Sequence, residues 1–155
     1  MNTSHLNAAS IACPLPAALE AMGERWSFLI LRGAFNGLVN FEEFQSTLGI
    51  ARNILSNRLT RLVECGIMTR VPDQQDRRKV AYRLTEKGLA LLPVLIALRQ
   101  WGEAYGEGPP CNPILIDSRD RKPVRPVVVQ AQDGRYLGPG DLEWVDRMEM
   151  TAKAA

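Results

Sequence analysis

A mainly helical fold with a small β component is predicted for this chain, and three observations predict it. Apolar residues recur at three- and four-residue spacing through most of residues 14–102, the period of helices that bury one face. That period gives way once to two short β-type runs, "IMTRV" and "VAYRL", separated by the polar "PDQQDRRK". This is the pattern of a hairpin with a long tip. After "GEGPPCNP" the composition shifts to Val-, Pro- and Gly-rich stretches without helical spacing. The expected organisation is a tail over 1–12, a helical domain with a hairpin over 13–107, and a β-containing extension over 108–155.

The elements follow in order. Pro14 and Pro16 suit the start of a first helix, where a missing N–H is no loss, and Gly23 breaks it. Trp26, Leu29, Ile30 and Ala34 form the core stripe of a second helix that ends at Asn36-Gly37. Asn40 is placed to cap a third, with Glu43 three residues on as in a capping box. Phe41, Phe44 and Leu48 line one face of that short helix, and Gly49 closes it. The next helix, Ala51 to Glu64, gathers Leu55, Leu59, Leu62 and Val63 on one side, with Ile54 at the edge. Asn53, Asn57, Thr60, Arg61 and Glu64 lie opposite, and Cys65-Gly66 ends the helix. After the hairpin, Thr85 opens a last helix that is apolar almost all round, with Pro93 expected to kink it. Such a helix is buried on more than one side. A second copy of the chain is the simplest cover, so Leu89, Leu92, Leu95, Ile96 and Trp101 are the candidate dimer interface. In the extension, "ILID", "PVRPVVVQAQ" and "GRYL" read as strands around the turns "SRDRK" and "QDG". A short final helix is expected in "GPGDLEWVDRMEM".

The bulk composition excludes several classes. Apolar residues make up 46% of the 155 and charged residues 23%, an ordinary globular balance rather than a disordered one. No apolar run approaches the ~18 residues of a membrane span. The N-terminus lacks a basic region followed by an apolar one, so no signal peptide and a cytoplasmic location are expected. The cysteines, Cys13, Cys65 and Cys111, are odd in number and far apart. They suggest neither a disulfide framework nor a metal site, and no cofactor is expected. The one histidine, His5, lies in the tail. With no HExxH, phosphate loop or dinucleotide fingerprint, an enzyme is not expected. "LGPGD" at 137–141 lacks the strand-then-helix frame of a phosphate loop. Trp26 and Trp101 read as core or dimer anchors, and Trp144 has no assigned role.

Helix, helix, short helix, polar-faced helix, hairpin is the order of a winged helix-turn-helix. One helix fits the major groove of B-DNA, and the preceding helix steadies it on the backbone. Charge supports that reading. Residues 50–84 hold eight basic and three acidic side chains, a net of +5, while the whole chain carries +2. Basic charge gathered on the reading head is the footprint of phosphate binding. Asn53, Ser56 and Asn57, with Thr60 beside them, are candidates for base contacts, and amides favour adenine edges. Arg52 suits either a guanine or a phosphate. Arg58 and Arg61 are placed as phosphate clamps, and Arg77, Arg78 and Lys79 as wing contacts. The expected partner is double-stranded DNA with a two-fold-symmetric site, bound by a homodimer. The alternative is a winged helix used for protein–protein contact without DNA.

The stretches "CPLPAALEAMGERWSFLILRGAFNG", "NFEEFQSTLGIARNILSNRLTRLVECGIMTR" and "YRLTEKGLALLPVLIALRQWG" resemble the HxlR-type winged-helix transcriptional regulators, a branch near the MarR group. The resemblance implies a homodimeric, cytoplasmic DNA-binding regulator, more often a repressor, with 51–64 as recognition helix. Its dimer surface would come from the first and last long helices. Two positions depart from the pattern. Gly23-Glu24-Arg25-Trp26 stands where the family usually has Gly-Gly-Lys-Trp, and Ala51 stands where it usually has Ser. Alanine is a poor N-cap. Asp76-Arg77-Arg78 resembles the core of a MarR-type wing, and "PVRPVVVQAQDGRYLGPGDLEWV" the C-terminal β extension of longer members. Cys13 sits where some members carry a redox-sensing thiol. A helix N-terminus favours the thiolate such sensing needs, but the simpler reading of Cys13 is a small packed residue. A small-molecule effector between the dimer helices and the extension is a further expectation.

Overall fold

The computed structural model describes residues 13–72, 80–108 and 113–145. These fall into two compact units, 17–126 and the chain ends 13–16 with 127–145. The segment 113–126 thus groups with the helical residues.

Helix α1 is Leu15–Met22 and α2 is Arg25–Phe35. Gly23 joins them at φ +72°, a left-handed conformation glycine adopts without strain. Helix α3, Phe41–Leu48, begins at Asn40. Glu43 accepts the backbone N–H groups of Asn40 at 3.0 Å and Val39 at 2.9 Å, the return half of the expected capping box. Gly49 ends α3 in the left-handed region, and after three residues α4 runs Arg52–Glu64. Leu55, Leu59 and Leu62 of α4 are fully buried against Ile30, Leu31, Phe44, Ile50, Ile67 and Met68. This core fixes the angle of α4 to α2 and α3. The expected stripe on α2 was incomplete. Ile30 is buried, and Trp26 and Ala34 pack partly against the core, but Leu31 and Ser27 are also fully enclosed.

Strands β1 (Met68–Pro72) and β2 (Val80–Leu84) form the expected antiparallel hairpin, with Met68 opposite Leu84 and Arg70 opposite Tyr82. An additional bridge joins Asn40 to Ala81, and Tyr82 donates its N–H to the Val39 carbonyl at 2.7 Å. The hairpin base is thereby fixed to the entrance of α3. The Asn36-Gly37 turn signal marks the end of α2 but not this long-range pairing.

Three expectations are corrected. The last helix is two helices, α5 (Glu86–Leu89) and α6 (Leu92–Tyr105). Pro93 is the second residue of α6 rather than a kink within one helix. In a first turn its missing donor is no loss, whereas a continuous helix would have needed its N–H for Leu89. The strands expected in the extension reduce to single bridges, Ile116 with Pro123 and Gln130 with Tyr136. Pro123 and Pro126 remove ladder donors there. The turns do form: Asp117 accepts the Arg119 N–H, and Asp133 that of Arg135. The expected final helix is a 3₁₀ turn at Pro139–Asp141, and residues beyond 145 lie outside the described ones.

Candidate nucleic-acid interface

Helices α3 and α4 with the Gly49–Ala51 turn form the helix-turn-helix, and the core grips only one side of α4. Asn53, Ser56, Asn57 and Thr60 are all exposed on the other. At about 100° per residue they share one sector of the helix. Arg52 leads into this surface, its guanidinium 4.9 Å from the centre of the Phe41 ring, a cation–π stack that holds it at the mouth of α4. Helix α4 starts at Arg52 with Ala51 as N-cap, and no side chain caps it. Its first-turn N–H groups therefore lack the usual side-chain acceptor. Arg70 and Arg83 are exposed on the hairpin.

The other two arginines of α4 sit differently. Arg58 is turned toward the α1–α2 elbow, where it pairs with Glu24. Arg61 lies 3.7 Å from Glu20 of α1 and is 42% exposed. Arg77, Arg78 and Lys79 lie outside the described residues.

The candidate dimer residues divide as well. Leu89 at the end of α5 and Leu92 and Trp101 of α6 are exposed, as are Val94, Leu98 and Tyr105 on α6 and Leu19 on α1. Leu95 packs against the protomer's own core. Ile96 lines a small cleft of about 130 Å³ together with Arg99, Leu115 and Val124. Cys13 is exposed and free in the single chain. Cys65 is half-buried behind the last turn of α4, where its carbonyl accepts the Lys87 ammonium at 2.7 Å. Among the described residues no cluster of metal-ligating side chains occurs, and no helix is long and apolar enough to cross a membrane.

A three-helix core, an exposed polar helix behind a tight turn and an adjoining hairpin define a winged helix-turn-helix protein. A family model for HxlR-like helix-turn-helix proteins matches residues 21–109, and the chain belongs to that family. The crystal structure of PA1607, a candidate transcription factor, is 45% identical with a TM-score of 0.81, over 87% of this chain and 94% of that one. The HTH-type transcriptional regulator Rv3095 of Mycobacterium tuberculosis (strain H37Rv) is 49% identical over 96 residues, 60% of this chain. This chain spans 61% of that relative's length. The redox regulator HypR, in its reduced form, is 29% identical with a TM-score of 0.55, over 61% of this chain and 94% of that one. These relatives bear the names of regulators rather than enzymes, in agreement with the reading of the sequence.

Proposed function

We propose that this protein is a cytoplasmic, homodimeric transcriptional regulator that reads a two-fold-symmetric DNA site. The observation that carries the reading is the polar face of α4, exposed along its length while the opposite face is locked into the core. A helix held in this way presents base-reading side chains to a major groove without having to reorganise. Asn53, Ser56, Asn57 and Thr60 take base edges. Arg52 and the uncapped first turn of α4 take a phosphate, as helix N-termini do. Arg61 is placed to swing from Glu20 to the backbone, and Arg77, Arg78 and Lys79 supply the wing. The exposed apolar residues of α6, with Leu19 of α1, form the dimer face, and a second copy removes them from water. Half-sites about one helical turn apart follow from such a dimer.

The test is fluorescence anisotropy on the protein's own upstream DNA against scrambled DNA of equal length, at two salt concentrations. Tight, sequence-preferring, salt-weakened binding is expected. A folded dimer that binds both DNAs weakly and equally would instead favour a protein-interaction module. Within the specific complex, Asn57→Ala is expected to narrow the preference for operator over scrambled DNA by about tenfold, roughly 1–3 kcal/mol per lost base contact. Its salt slope stays unchanged. Equal losses on both DNAs would remove Asn57 from the base-reading set.

The exposure of Cys13 favours thiol modulation as an added layer, and the redox regulator HypR is a structural neighbour. Oxidant treatment is expected to release DNA from the parent but not from Cys13→Ser. Equal release from both proteins would exclude this thiol as the sensor.

A further inference from the structure

We infer that Arg58 is a positioning residue that sets the roll of the reading helix on the α1–α2 elbow, rather than a contact to DNA phosphate. This inference rests on the DNA-reading proposal above. Three observations carry it. Arg58 lies about 100–160° around the helix from Asn53, Ser56, Asn57 and Thr60, at about 100° per residue. Its side chain is only 25% exposed and pairs with Glu24, which is 63% exposed. Its Nε is buried without a hydrogen-bond partner, and the elbow at Gly23 lies in contact with its guanidinium. A Cβ at Gly23 would stand 3.3 Å from the buried Ser27 Oγ and 3.8 Å from Arg58 Nη1. A phosphate clamp keeps its guanidinium in solvent until DNA arrives. Arg58 instead has its planar fork tucked into the junction where α1 turns into α2. Arg61 is the contrast: it lies about 40° from Asn57 on the same wheel, at 3.7 Å from its carboxylate and 42% exposed.

The elbow also explains a departure noted in the sequence. Glu24 takes the second position of Gly23-Glu24-Arg25-Trp26 and supplies the carboxylate that receives Arg58. A strut between α2 and α4 fixes which polar residues face the groove. Its loss rotates the reading face, which degrades discrimination among sequences more than it degrades general attraction to the backbone.

The experiment measures operator and scrambled-DNA affinity across salt for the parent, Arg58→Ala, Arg58→Lys and the charge swap Glu24→Arg with Arg58→Glu. Folding of each is verified by circular dichroism melting. Arg58→Ala is expected to keep the parent's salt slope and to lower the operator-to-scrambled ratio by about tenfold. Arg58→Lys, which keeps the charge but not the fork, is expected to lower the ratio as well, and it carries the test if the alanine variant does not fold. The charge swap is expected to recover most of the ratio. A phosphate clamp predicts the opposite pattern. The salt slope of Arg58→Ala would fall by about one unit per subunit, both DNAs would weaken equally, lysine would substitute, and a glutamate at 58 would repel DNA beyond rescue. That pattern overturns the inference alone. A parent with no preference for the operator overturns the DNA-reading proposal and this inference with it.

Discussion

Alanine at Gly88 is expected to lower the stability of the protein by about 3 kcal/mol or more, at the upper end of overpacking effects. A Cβ at this position would stand 2.2 Å from the carbonyl oxygen of Ile67 and 3.1 Å from Leu84 Cδ2. The first contact is with backbone and cannot be relieved by a rotamer change. The Ile67 carbonyl is also held in place, since it accepts the Thr85 N–H at 3.1 Å, while the Thr85 hydroxyl donates to the neighbouring Gly66 carbonyl at 2.7 Å. Thr85 in turn accepts the Gly88 N–H at 3.1 Å, as the cap of α5. One added methyl group therefore opposes the entry to β1, the exit from β2 and the first turn of α5 together. At about 2–4 °C per kcal/mol for a chain of this size, the melting midpoint falls by about 6–12 °C. Thermal unfolding followed by circular dichroism checks this. An unchanged midpoint would mean that α5 does not pack against Ile67.

An aspartate at Trp101 or Leu98 is expected to leave the protomer folded and to separate the proposed dimer. Trp101 is 62% exposed and Leu98 50% exposed in the single chain, so neither contributes much to the protomer's core. A charge placed in the centre of an apolar interface is desolvated without a partner, which opposes association strongly. Two reading heads linked as one particle gain about a hundredfold or more in affinity over separate heads. Light scattering should report the monomer mass, and operator affinity should fall by about that factor while the melting midpoint moves little. A variant that remains a dimer would place the interface elsewhere.

The helical part of the molecule was legible because burial leaves a period in the sequence. Leu55, Leu59 and Leu62 recur at turns of one helix, and all three are fully buried. Gly23, Gly37, Gly49 and Gly66 fall at element ends and take positive φ. What was misread has physical causes. Pro93 carries the same signal whether it bends one helix or sits in the first turn of a second. The Val-rich runs of the extension have strand-like side chains, but Val127, Val128 and Val129 are exposed. Strand propensity depends on packing against neighbours, and here single bridges form in place of a ladder. Nothing local in the sequence signals the ion pairs that Arg58 and Arg61 make. Their acidic partners, Glu24 and Glu20, are brought close by tertiary packing, which a local pattern does not encode. The joining of Val39 and Asn40 to the hairpin is a long-range pairing of the same kind.

The interruption at Ala90–Leu91 has a mechanical meaning. On one side of it, α5 is pinned to the hairpin base through Thr85 and Gly88. On the other, α6 carries the face proposed for dimerisation. Pro93, with its ring-locked φ, stiffens the first turn of α6 just beyond the break. In the proposed dimer this corner lies between the hairpin and the dimer face, so the spacing of the reading heads depends on the path of the chain through it. A caliper with a fixed jaw measures one gap well and others poorly, and operators with one base pair inserted or removed between half-sites are the gauge blocks for it.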